Sequence, residues 1–177
     1  MCCSTPSSPS MRHNSLPPRR LLAIVGPGED APAQAISDAE RIGELAARAG
    51  WVVLCGGRNA GVMAAAARGA ARGRGLSIGL LPSEDERDVA PELTVALATG
   101  LGEARNAVLA RSCHAMAVCG MNAGTASEVA LALKAGKPVV LVRPERTAEE
   151  FVRLLSADGV YVAADAEAAL ALLTTSS

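Results

Sequence analysis

The 177 residues are 50% hydrophobic, 20% charged and only 2% aromatic, with a net charge of −1. This supplies one domain with a sizeable aliphatic core. It offers neither the basic field that a nucleic-acid backbone requires nor the aromatic platform on which single strands stack, so no nucleic-acid partner is expected.

The first residues, "MCCSTPSSPSMRHNSLPPRR", contain no apolar core segment and so are not a secretory signal. Their Ser/Pro-rich composition without acidic residues is shared by transit peptides, but residues 1–19 read as a disordered tail, and Met11 is an alternative start. Myristoylation needs glycine where Cys2 stands. No apolar run approaches the ~20 residues of a spanning helix, and no membrane partner is expected.

Beyond the tail, strands and helices alternate. "LLAIVG" (21–26) is a short apolar run closed by Pro-Gly, hence a buried strand. From 32 to 49 apolar residues recur at helical spacing, and Gly50 stops that helix. "WVVLC" (51–55) is the second strand, followed by the loop "GGRNAG" and the helix "VMAAAARGAARG". "LSIGLLP" (76–82) and "LTVALAT" (93–99) flank the acidic loop "SEDERD". A helix covers 102–111, "CHAMAVCG" is the fifth strand, and "AGTASEVALALKAG" is a helix with a glycine stop. "KPVVLV" (137–142) is the sixth strand; helix, short strand and helix complete the chain. Apolar strands alternating with helices predict an α/β fold. It is a single doubly wound Rossmann-like domain over 20–177, with a mostly parallel sheet and helices on both faces. The many small alanines imply close helix packing.

The five cysteines are odd in number and form no CxxC pair. They read as free thiols of a reducing cytosol, with no metal site and a cytoplasmic location.

In such folds ligands bind beyond the carboxyl ends of the strands. "GPGEDA" (26–31) matches a dinucleotide fingerprint in form only. Pro27 lacks an amide donor, Glu29 and Asp30 oppose a pyrophosphate, and the ribose-binding acid is missing from "VVLCGGRN". NAD is not expected, and without a Walker motif neither is ATP. "CGGRNAGVM" is a better candidate: Gly56, Gly57 and Gly61 let amides approach a phosphate at a helix start, and Arg58 adds a charged donor. In "TGLGEARN", Thr99 and Gly100 end a strand, and Arg105 falls in a first helical turn. A cation there opposes the helix dipole; a ligand anion or a carboxylate partner would account for it, and a solvent-facing arginine is the plain alternative. "CGMNAGTASE" admits two readings. Thr125 and Glu128 have capping-box spacing, whereas Gly120, Gly124 and the following amides make an anion nest.

Together "GGRNAGVM", "TGLGEARN" and "GTASEVALALKAGKPVVL" resemble, in order and spacing, the Lonely Guy (LOG)-like Rossmann proteins, over nearly all of residues 20–170. Within that group the pattern is most similar to the molybdenum cofactor carriers. The resemblance implies a phosphorylated-cofactor or nucleotide binding protein with molybdenum cofactor as cargo. The small phosphorylated ligand would be held by Gly56, Gly57, Arg58, Gly61, Thr99, Gly100, Arg105, Gly120, Met121, Asn122, Gly124 and Thr125. It also implies a homo-oligomer, dimer or tetramer. The hydrolase branch of the group cleaves nucleoside 5′-monophosphates to base and ribose 5-phosphate and carries a P-G-G-x-G-T-x-x-E loop. Gly124, Thr125, Glu128 and the upstream Arg105 match it, but Gly120, Met121 and Asn122 replace its Pro-Gly-Gly. Arg105 and Glu128 are catalytic only under that alternative; a nucleotide-sensing module is a third. The altered loop favours holding a ligand over cutting one.

Overall fold

The computed structural model describes residues 19–156 and 158–175. The tail expected over 1–19 thus lies, apart from Arg19, outside the described residues. Seven strands, β1 (Leu21–Val25), β2 (Val52–Cys55), β3 (Ser77–Leu81), β4 (Val95–Ala98), β5 (Ala115–Cys119), β6 (Val139–Val142) and β7 (Val160–Ala163), form one sheet in the order β4-β3-β2-β1-β5-β6-β7. Every neighbouring pair is parallel.

The helices are α1 (Ala33–Arg48), α2 (Gly61–Arg72), α3 (Arg105–Ser112), α4 (Ala123–Lys134), α5 (Arg146–Leu155) and α6 (Ala166–Thr175). A 3-10 turn, Gly102–Ala104, leads into α3. Successive strand residues point to opposite faces, so a fully apolar strand needs cover on both. Leu22 and Ile24 of β1 join a core with α1, α2 and α6. Ala23 and Val25 join a second core with α3, α4 and α5. The expected doubly wound α/β fold is therefore present. The connection from β3 to β4 contains no helix. Residues 82–94 run over α2, where Ala90 donates its amide to Gly57 O and packs beside Ala64 and Ala67.

α1 and α2 approach more closely than alanine alone allows. A Cβ on Gly69 would lie 2.0 Å from Glu40 O, and one on Gly43 would lie 2.6 Å from Ala66 O. The two backbones therefore touch at glycine. Expected outcome: Gly69→Ala forces the helices apart and lowers stability by roughly 1–3 kcal/mol, the usual cost of overpacking. Urea denaturation measures this, and an unchanged midpoint would contradict the close approach.

Candidate functional site

All strand ends carrying loops of interest share one edge of the sheet. The crevice of such a sheet opens where the strand order reverses. Here that point lies between β1 and β5, neighbours in space although three strands separate them in sequence. Two cavities occupy it. A cleft of about 200 Å³ is walled by Gly26, Gly28 and Glu29 after β1, Gly56 and Arg58 after β2, Arg105 and Asn106 of α3, and Asn122, Gly124, Thr125 and Glu128 around the start of α4. A cavity of about 370 Å³ lies towards β6 and includes Gly120, Met121 and Asn122. Asn122 borders both.

The chain thus brings Gly56, Arg58, Arg105, Asn122, Gly124, Thr125 and Glu128 together in the cleft, and Gly120 and Met121 into the neighbouring cavity. Gly57, Gly61, Thr99 and Gly100 line neither cavity. Gly61, at φ 43°, starts α2 where a Cβ would lie 2.0 Å from Gly28 O. Gly57, at φ 82°, passes Gly79 less closely, a Cβ there lying 3.1 Å from its backbone, and accepts from Ala90 N. Thr99 donates its hydroxyl to Leu81 O at 2.7 Å, and Gly100 turns at φ 64° beside Glu84. These four close turns.

The capping-box reading of Thr125 and Glu128 is overturned. α4 begins at Ala123, and its cap is Asn122, whose Oδ1 accepts from Thr125 N at 2.9 Å and from Thr125 Oγ1 at 3.0 Å. Asn122 is as good a cap as threonine and stands three residues earlier. The amides of Ala123 and Gly124, the first two of the helix, have no intrahelical acceptor and are available to an anion.

Glu128 is instead the carboxylate partner of Arg105. Nη1 of Arg105 donates to Glu128 Oε1 at 2.8 Å. Both residues are buried, at 9% and 7% exposure. The guanidinium lies against the backbone of Gly56, where a Cβ would come within 2.8 Å of Nη2 and 2.5 Å of Met63 Sδ. Arg105 Nε is buried and has no hydrogen-bond partner among the described residues, so the guanidinium is under-satisfied. Burial raises the pKa of Glu128 to about 7 and outweighs the pull of Arg105. Arg58 reaches the cleft with its charge already shared between Glu29 at 2.6 Å and Asp88 at 2.7 Å.

Other wall residues had no signal strong enough to single them out. Gly26, Gly28 and Glu29 belong to the "GPGEDA" stretch, which fails as a dinucleotide motif yet supplies one side of the cleft. Asn106 is buried and donates to Ser127 Oγ at 2.8 Å, tying α3 to α4 beside the charged pair. Burial holds the Cys55 thiol protonated, with its pKa pushed up to about 11, so it acts as a small apolar side chain.

A family model of the SLOG cluster4 family matches residues 19–170. The chain belongs to that family. A molybdenum cofactor binding protein from Rippkaea orientalis has a similar structure, with 40% identity, a TM-score of 0.87, and coverage of 89% of this chain and 97% of that one. The Moco carrier protein from Chlamydomonas reinhardtii matches at 40% identity and a TM-score of 0.84, over 89% and 97% of the two chains. An uncharacterized protein of Archaeoglobus fulgidus is 37% identical over 124 residues, 70% of this chain and 80% of its own length. The LOG-like resemblance read from the loops therefore holds across the SLOG cluster4 domain.

The raised Glu128 pKa makes a prediction with a definite sign. Below the ordinary value of 4.5 the carboxyl is neutral folded or unfolded, and its burial costs little. As pH rises from 4.5 to about 7, the unfolded chain ionises first and stability is lost. Glu128→Gln should flatten that slope in chemical denaturation curves taken across the window. An identical slope in the variant would mean that Glu128 is not the group responsible.

Proposed function

We propose that this protein binds molybdenum cofactor as cargo and shelters it, without chemistry of its own. The terminal phosphate would occupy the cleft, against the free amides of α4, the glycine at 56 and the guanidinium of Arg105. The observation that carries this reading is the state of the loop before α4. Asn122 consumes both donors of Thr125, the side chain that the hydrolase pattern would offer to a 5′-phosphate. Glu128, the carboxylate that would stabilise positive charge on a sugar, is committed to Arg105 and pushed towards neutrality. A site built so holds a phosphorylated ligand more readily than it cleaves one. The likeness to molybdenum cofactor binding proteins over nearly the whole length supports the same reading.

Cofactor released from a molybdoenzyme should be lost to oxidation more slowly in the presence of the protein, with saturable dependence on its concentration. AMP should yield no free base; turnover abolished by Glu128→Gln would establish the hydrolase instead. Arg105→Ala should weaken binding roughly 10- to 100-fold, the worth of one charge-assisted hydrogen bond of about 1.5–3 kcal/mol. Unchanged affinity would put the phosphate elsewhere.

The buried free thiols of Cys55, Cys113 and Cys119 support a reducing, cytoplasmic setting, and among the described residues no helix is long and apolar enough to cross a membrane. Residues 20–177 would then act as one domain and associate into a homo-oligomer. α5 supports the association: it exposes Phe151, Leu154 and Leu155 along one stripe, with Leu154 at 86% exposure. Leu154→Glu should shift the sedimentation coefficient towards monomer; a chain that already sediments as a monomer would end the idea.

A further inference from the structure

The cavity beyond Asn122 differs in chemistry from the cleft. Its walls are largely apolar, including Pro27, Pro32, Met121 and Leu141. Its charged side chains are Asp30, Asp38 and Glu145 against the single cation Arg143. A second phosphate would be repelled there, whereas a planar group that donates hydrogen bonds would be welcome.

Asp38 is the buried acid in the wall of this cavity. It is 6% exposed, inside an otherwise apolar face of α1. Gln34 Nε2 donates to its Oδ1 and Arg143 Nε to its Oδ2, each at 3.2 Å. Each carboxylate oxygen accepts about two hydrogen bonds, so Asp38 keeps acceptor capacity while its two partners fix its plane. Arg143 reaches it from a left-handed backbone, φ 46°, a region that non-glycine residues disfavour. Glycine would suit that turn better, and the arginine standing there places its guanidinium on Asp38.

Building on the cofactor-carrier reading, we infer that this cavity is the subsite for the ring end of the cargo, with Asp38 reading its amino-pyrimidinone edge. That edge presents an exocyclic N–H and a ring N–H side by side, as a guanidinium does, and a carboxylate matches such a pair bidentately. Because Asn122 borders both cavities, one ligand spans them, phosphate in the cleft and ring beside Asp38. Prolines 27 and 32 and Met121 supply the apolar contacts for the ring faces.

The test compares two probes by calorimetry on the full chain: a pterin bearing a phosphoalkyl chain at position 6, and the matching lumazine, whose C2 carries oxygen in place of the amino group. The wild type should prefer the pterin at least tenfold. Asp38→Asn should abolish or reverse that preference. Arg105→Ala should weaken both probes alike and leave their ratio unchanged. Arg143→Gly removes the disfavoured backbone, so its fold is not threatened, and it should narrow the preference while raising the melting temperature. Equal wild-type affinity for the two probes overturns the subsite and leaves the phosphate site standing. So does a preference that survives both Asp38→Asn and Arg143→Gly. If neither probe binds the wild type, the carrier reading falls and this subsite with it.

Discussion

All seven strands run the same way, and the site follows from that. A parallel sheet delivers every strand's carboxyl end to one edge and must return the chain through crossovers on its faces. Because α1 and α2 lie on one face and α3 and α4 on the other, the loops after β1 and β5 leave in opposite directions. The gap between them is a consequence of winding and needs no special residues. What the sequence adds is permission for close approach. Gly26 is an example: a Cβ there would lie 2.2 Å from Cys119 O, across the gap.

The same need for small residues explains how a chain almost without aromatics fills its core. α1 and α2 lie together at glycine and alanine, and Val62–Ala67, Gly69 and Ala70 of α2 are all buried. Met63 of the tightly packed α2 reaches Gly56, where it lies beside the guanidinium of Arg105. Packing energetics and site geometry are thus one problem in this molecule: the glycine that lets the guanidinium in also excludes any side chain from its place.

The strands and helices were readable because their signals are local: apolar runs, helical periodicity and glycine stops. The crevice followed from the alternation. The charged pair was only half readable. Arg105 against the helix dipole pointed to an anion or to solvent, and nothing local names a partner 23 residues away. Thr125 and Glu128 carried the spacing of a capping box, and that spacing is indifferent to whether the helix starts at Thr125 or three residues before it. Once Asn122 caps, Glu128 is free of the helix start and faces Arg105. Gly57 and Gly61 illustrate the opposite ambiguity: a glycine needed to avoid a neighbouring backbone and a glycine needed to admit a phosphate look alike in sequence. Asp38 gave no signal at all, since an acid within an amphipathic helix reads as solvent-facing until Arg143 arrives from the turn after β6.

Charge compensation in the cleft bears on what the proposed carrier must do. An uncompensated buried arginine would grip a phosphate strongly in a low-dielectric site, and strong grip opposes delivery. Here Arg105 already has a carboxylate, and Arg58 is shared between two. An arriving dianion must compete with Glu128, and its negative charge favours protonation of that carboxyl, already held near neutrality by burial. Under the carrier reading, proton uptake would accompany phosphate binding and proton loss its release. The buried pair is a poor device for stability, because the desolvation of both charges offsets much of their attraction. Under the carrier reading its value lies elsewhere: it sets an affinity that can be reversed without any moving part.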